Sequence, residues 1–185
     1  MNKRNMFAVA AALMFGFSAL HASAQKDPMV GGAAMYPTKN IVENAVNSKD
    51  HTTLVTAVKA AGLVETLEGP GPFTVFAPTN EAFDKLPAGT VDTLLKPESS
   101  ATLKKVLTYH VVAGKMTSKD IAKKIKEGKG KATLTTVEGG TLTAMMEGGK
   151  LVLTDEKGGT STVTIANVYQ SNGVIHVVDT VLMPN

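Results

Sequence analysis

The fourteen C-terminal residues, Asn172 to Asn185 (NGVIHVVDTVLMPN), constrain the fold more than any other segment. Asn172-Gly173 is a pair that tolerates positive φ at both central positions of a tight hairpin turn, which predicts a strand leaving it at once. Along that strand Val174, His176, Val178 and Leu182 fall on one face, and Ile175, Val177, Val181 and Met183 on the other. Both faces are mostly apolar, and a strand apolar on both sides has to be covered on both sides. The segment is therefore expected in the middle of the core, ended by Pro184, which has no N–H to donate. His176 on an apolar face invites a metal or catalytic role. The ordinary alternative is a core histidine whose ring nitrogens are bonded to neighbours.

The other end of the chain sets the compartment. Lys3 and Arg4 precede an apolar run from Met6 to Leu20, followed by Ala22-Ser23-Ala24. A charged start, an apolar stretch short of the roughly 20 residues that span a bilayer, and small residues at the last and third-last positions predict a secretory signal peptide cut after Ala24. Residues 1–24 are thus assigned to the leader, 25–39 to an N-terminal arm with two prolines and adjacent glycines, and 40–185 to one domain. Two of the 19 basic residues and none of the 16 acidic ones lie in the leader, leaving 17 against 16, a formal charge of +1. That near balance gives no electrostatic footprint for a nucleic-acid partner. Cysteine is absent, so an exported chain of this sequence has no disulfide and must be stabilised by packing. No later apolar run is long enough for a membrane span. The expected location is the periplasm or the extracellular space.

Between the two ends the first half reads as helical. Helices are predicted over Asn40 to Ser48, Thr52 to Ala61, Asn80 to Leu86, Thr90 to Leu95, Glu98 to Leu107 and Ser118 to Glu127. Thr79 serves as an N-cap, with Glu81 in the first turn where negative charge suits the helix dipole. Gly69-Pro70-Gly71-Pro72 is a rigid turn feeding the short strand Phe73 to Ala77, and Tyr109 to Val112 (YHVV) reads as another strand. From Lys131 onward Thr, Val and Leu runs are punctuated at Gly139-Gly140, Gly148-Gly149, Gly158-Gly159 and Asn172-Gly173, which predicts a series of hairpins. Helices first and strands second is the pattern of an α+β fold.

Three segments now stand in order: FTVFAPTNEAF at Phe73 to Phe83, the Tyr109-His110 pair, and NGVIHVVDTVLMP at Asn172 to Pro184. Together they resemble the two signature boxes and the central Tyr-His motif of the fasciclin domain family, a resemblance that runs from about Asn40 to Pro184. It implies a helix-rich half packed on a β-sandwich or wedge of mainly antiparallel strands, in secreted or surface-attached proteins that mediate adhesion. Phe73, Val75, Phe76 and Phe83 then become core anchors, while Pro78 stops the strand and Thr79 starts a helix. On a strand Tyr109 and His110 point to opposite faces, so one faces inward and the other is open to a partner. A buried hydrogen-bonding role is the alternative for this pair. In animal adhesion members of the family an acidic residue shortly before the Asn-Gly turn belongs to proposed integrin-binding motifs. Here Asn167 stands in that place, and a neutral amide cannot replace a carboxylate on a receptor-bound cation. Tyr109, His110, Asn167 and Tyr169 are the candidate partner-binding residues.

Familiar catalytic patterns are missing. The histidines after the leader, His51, His110 and His176, have no paired metal-ligand spacing, and there is no Gly-x-Ser-x-Gly elbow and no cysteine nucleophile. The Gly-Gly pairs lack the Lys-Ser/Thr of a phosphate loop, and His176 and Asp179 fall on opposite faces of a regular strand. One charge cluster stands out. Six lysines against Asp120 and Glu127 between positions 119 and 131 give a local +4. Lys119, Lys123 and Lys126 share one helical face, flanked by Lys124, with Ile121 and Ile125 turned towards the core. This is either a solvated helix surface or a contact for acidic polysaccharide, lipid headgroups or an acidic protein.

The sequence thus predicts an exported, non-enzymatic binding protein that needs no cofactor or metal and is a monomer or weak oligomer. Its expected role is cell adhesion or extracellular contact, with a cell-surface protein or polysaccharide as partner. The alternative is a periplasmic small-ligand or lipid-binding module, whose mark would be an apolar cavity with convergent polar groups.

Overall fold

The computed structural model describes residues 27–185; the predicted signal peptide and its cleavage point lie outside the described residues. The helical half comprises α1 (Ile41–Ala45), α2 (Thr52–Ala60), α3 (Val64–Glu68), α4 (Asn80–Asp84), α5 (Thr90–Leu94), α6 (Ser100–Tyr109) and α7 (Ser118–Glu127). Local chemistry accounts for several starts. Asn40 and Glu43 form a capping box on α1, Thr79 accepts from the Ala82 N–H on α4, and Thr117 with Asp120 forms a second capping box on α7. The arm is not structureless. Strands β1 (Met29–Val30) and β2 (Ala33–Ala34) pair as a hairpin, and Val30 and Met35 are buried in the core, so residues of the arm belong to the packed body.

Seven further strands form one sheet: β3 (Phe73–Pro78), β4 (Val111–Ala113), β5 (Lys131–Thr135), β6 (Thr141–Glu147), β7 (Lys150–Thr154), β8 (Thr160–Gln170) and β9 (Gly173–Val178), in the spatial order β4-β3-β9-β8-β7-β6-β5. Every neighbouring pair is antiparallel except β3 with β9, which run parallel. A bridge between Val112 and Thr136 and a bond from the Val137 N–H to the Val111 carbonyl (2.7 Å) bring the two ends of the sheet together, so it curls almost into a barrel. The result is the expected α+β class.

Curling produces two cores. Helices α1 to α6 cover the outer face of β3 and β9, where Val75, Ala77, Ile175 and Val177 meet Leu54, Val58, Leu103 and Leu107. Inside the curl Phe76, Tyr109, Leu142, Leu153, Val178 and Leu182 pack with Ile121 and Ile125 of α7. All six residues of β9 are buried, and its side chains alternate between these cores, as the two-faced apolar pattern requires. Of the four expected anchors Val75, Phe76 and Phe83 are buried, while Phe73 lies at the margin of the first core.

The Asn-Gly pair that leads into β9 acts differently from the positive-φ turn predicted. Gln170 pairs with Gly173, so the loop residues are Ser171 and Asn172, and neither Asn172 nor Gly173 has positive φ. Glycine is required because a Cβ at position 173 would sit 2.2 Å from the Phe73 carbonyl oxygen, across the parallel pair. The Asn172 amide is a knot of its own. Its Oδ1 accepts from the Ile41 N–H (3.1 Å), and its Nδ2 donates to the Leu67 carbonyl (2.7 Å) and the Gly69 carbonyl (2.9 Å). By contrast, Gly148 and Gly149 both have positive φ (55° and 80°) and make the two-residue β6–β7 turn as expected. Replacing Asn172 by Ala leaves these backbone groups without their partner, and an equilibrium urea titration should show a loss of at least about 2 kcal/mol with an unchanged m-value.

Candidate binding surface

Tyr109 and His110 do not lie on a strand, and neither reaches the surface. Tyr109 is the last residue of α6 and His110 follows it in right-handed helical conformation, with exposures of 0% and 3%. The helix runs on because Leu103, Val106, Leu107 and Tyr109 are all buried, which overrides the β-rich local sequence. The Tyr109 hydroxyl donates to the Thr141 carbonyl (2.6 Å) and accepts from the Glu156 N–H (3.1 Å), tying β6 to the turn after β7. Burial pushes its pKa up to about 12, with the nearby carboxylates adding to the effect and the bond from Glu156 opposing it. The expectation that one member of the pair is open to a partner is therefore corrected: both are enclosed.

His110 and His176 use the imidazole ring as a two-ended connector, in opposite tautomers. A carbonyl can only accept and a backbone N–H can only donate, so the partners fix the protons. His110 donates from Nδ1 to the Val106 carbonyl (2.8 Å) and accepts at Nε2 from the Leu182 N–H (3.0 Å). His176 donates from Nε2 to the Met116 carbonyl (2.9 Å) and accepts at Nδ1 from the Asn167 N–H (3.3 Å), with its ring stacked on Phe76 at 5.6 Å. Desolvation lowers both pKa values, that of His110 to about 4. Asp179, the carboxylate a His-Asp dyad in this segment would need, instead accepts from the Thr162 N–H (2.8 Å).

Asn167 sits where the β8–β9 register shifts, with a φ of 61° that asparagine tolerates better than most residues. The irregularity leaves its N–H for His176, and its amide reaches α7: Oδ1 accepts from the Ser118 N–H (2.7 Å) and Nδ2 donates to the Ser118 hydroxyl (2.7 Å). Thr74 holds the same approach to α7, its hydroxyl donating to the Gly114 carbonyl (2.6 Å) and accepting from the Met116 N–H (2.8 Å). Core residues of the signature segments thus fix the start of the lysine-rich helix. Asn167 is a positioning residue in this arrangement.

The helix itself is amphipathic as its sequence requires. Ile121 and Ile125 are buried, while Lys119, Lys123, Lys124 and Lys126 are exposed on the outer face. Lys123 meets Glu127 at 3.9 Å in an exposed pair, and the other three have no ion pair among the described residues. A groove of about 360 Å³ lies beside α7, lined by Ser118, Lys119, Met146, Lys150 and by Thr164 and Ala166 of β8. Tyr169 is half-buried, and the Lys115 ammonium lies 5.0 Å from its ring centroid, just before α7. Lys115 and Lys150 were not singled out by sequence. Lys150 joins this face, and Lys115 meets Tyr169, only through contact between distant segments, which no local pattern encodes.

The neutral buried rings have a consequence for pH. A group whose folded pKa is lowered from 6.5 to about 4 leaves the unfolded chain binding more protons across that interval, so stability rises with pH there and is lost on acidification. His110 alone should remove on the order of 2 kcal/mol between about pH 7 and about pH 5, and His51 and His176, also lowered, act in the same direction. Urea midpoints across this range check it; in His110→Gln the decline should be visibly shallower.

Comparison with known proteins fits this architecture. Residues 49–184 match the Fasciclin domain family. Protein sll1483 of Synechocystis is 47% identical over 160 residues, covering 86% of this chain and 82% of its own. Immunogenic protein MPB70 of Mycobacterium bovis is 37% identical, covering 76% of this chain and 66% of its own, and the cell surface glycolipoprotein MPB83 of the same species is 33% identical, covering 86% and 61%. The fold is shared with a FAS1 domain pair from the insect cell adhesion molecule Fasciclin I, with a TM-score of 0.69 at 21% identity over 78% of this chain and 51% of that one. Domains of this kind are in general non-enzymatic and adhesion-related. The chain belongs to the fasciclin domain family.

Proposed function

We propose that this protein is exported and acts by binding, contributing to cell adhesion or to extracellular matrix contacts through the outer face of α7 and the groove beside it. The observation that carries the reading is the set of exposed lysines on a helix whose other face is anchored by Ile121 and Ile125. A local +4 on a post-leader chain of formal charge +1 presents a positive surface to acidic groups on a cell-surface protein or polysaccharide. The cell-surface designation of MPB83 and the adhesion role named for the insect protein support an extracellular setting. Among the described residues no helix is long and apolar enough to cross a membrane. Tyr169, with Lys115 over its ring, adds an aromatic contact at the end of this face.

The test is a charge reversal. Lys123→Glu, Lys124→Glu and Lys126→Glu together alter exposed side chains and should leave the fold intact, as far-ultraviolet circular dichroism would show. Retention on an immobilised acidic polysaccharide should fall at least tenfold in this variant. For the unmodified chain it should fall steeply as salt rises from low ionic strength to about 1 M, where the Debye length shrinks to about 3 Å. Retention that ignores both changes would rule out the lysine face, and unchanged surface attachment of cells lacking the protein would rule out adhesion.

A further inference from the structure

The helix-covered core is not filled. Between the outer face of β3 and β9 and helices α1, α2 and α3 lies a cavity of about 70 Å³. Ile41, Leu54, Val58, Leu67, Val75 and Ile175 supply much of its wall. Half-buried Val55 and Val64 and exposed Lys59 and Val137 also line it, which marks where it approaches solvent.

Three buried polar side chains share that wall: Ser48, His51 and His110. Both ring nitrogens of His110 are paired, and the Ser48 hydroxyl pairs with His51 Nδ1 at 2.8 Å. His51 is 3% exposed, and its Nε2 is the one fully buried side-chain nitrogen or oxygen among the described residues with no hydrogen-bond partner. The Ala77 carbonyl is near enough to favour the charged ring, against the larger effect of burial, but does not meet hydrogen-bonding geometry with Nε2. Folded proteins rarely leave such an atom unpaired. A water there would find only His51 Nε2 and the Ala77 carbonyl beside it in a largely apolar wall, the low end of the two to four polar partners it needs.

We propose that this cavity is a binding site for the end of a small neutral aliphatic alcohol, with the hydroxyl bonded to His51 Nε2 and the hydrocarbon against Leu54, Val58 and Ile175. A hydroxyl both donates and accepts, so it satisfies Nε2 in either tautomer of the ring. Burial keeps the ring neutral, so an anionic head has no compensating charge there and is excluded. Scaled from an engineered apolar cavity of about 150 Å³ that takes benzene, the enclosed part fits about three non-hydrogen atoms, and the rest of a longer ligand extends towards Val55 and Val137. This site is separate from the α7 face and does not depend on its proposed role.

The probe is 2-butanol, with butyrate as the charged control, followed by methyl and histidine-ring nuclear magnetic resonance on the chain. Binding should produce saturable shifts confined to the methyls of Leu54, Val58 and Ile175 and to the His51 Nε2 resonance, with no response to butyrate. In His51→Leu the affinity should fall at least fivefold. Val58→Ile, which adds one methylene to the wall without changing polarity, should weaken binding by at least as much and stays informative if the His51 variant does not fold. Shifts that are absent, scattered over the surface, equal for butyrate or unaltered in Val58→Ile would overturn the proposal. So would a His51 ring that exchanges with water and ignores the alcohol.

Discussion

Everything else in this fold is arranged around β9 being hydrogen-bonded along both edges and packed on both faces. Its parallel pairing with β3 and antiparallel pairing with β8 satisfy its backbone, so that the strand lies within the protein without orphaned polar groups. Ile175 and Val177 then contribute to the core under the helices, and Val178 to the core within the curl. Fully burying an aliphatic side chain of this size is worth about 1.5 to 3 kcal/mol, so a single strand underwrites both halves of the hydrophobic stabilisation. A change in β9 register by one residue would exchange the two faces and lose both cores together. Asn172 and Gly173 prevent that slip. The amide is bonded to α1 and to the segment after α3, and the missing side chain admits the Phe73 carbonyl.

A strand so enclosed leaves few ways to connect elements across the core except through polar groups that are themselves satisfied. Histidine suits this because one rigid ring offers a donor and an acceptor on opposite sides. His176 joins β9 to the approach to α7 and to the irregular stretch of β8, and His110 joins the end of α6 to Leu182 beyond β9. Each connection requires the neutral ring, because a second proton would face an N–H donor at close range. The same feature that organises the core therefore makes it sensitive to acid, and a histidine suggestive of catalysis is an architectural element.

Much of this was readable from residues in order. The alternating faces of β9, the Gly148-Gly149 turn, the Thr79 cap and the bounds of α7 follow from local chemistry, and each is present. Tyr109 departs from the expected strand because its aromatic and β-branched neighbours resemble one, whereas burial of Leu103, Val106 and Leu107 extends the helix. The packing of the arm is not legible in the sequence because a two-residue strand pair has no period to detect, and its burial comes from contacts made elsewhere in the chain. The parallel β3–β9 pair, the Lys115–Tyr169 contact and the unpaired nitrogen of His51 are juxtapositions of distant segments. Periodicity and turn signals carry no information about those.

The link between core and surface decides what kind of binding the lysine face can support. Helix α7 is held by two buried isoleucines, a capping box and the Asn167 amide, so its backbone pays little entropy on meeting a partner. The lysine side chains remain long and mobile, and each exposed charge is screened within about 10 Å at 0.1 M salt. Such a surface fixes direction and sign of charge but gives weak affinity per domain. Weak contacts of this type become adhesive through number, since a second contact on the same polymer is made at high effective concentration. Display of many copies against a repeating acidic chain is thus the setting in which this geometry gains most, whereas a single domain against a single small anion gains least.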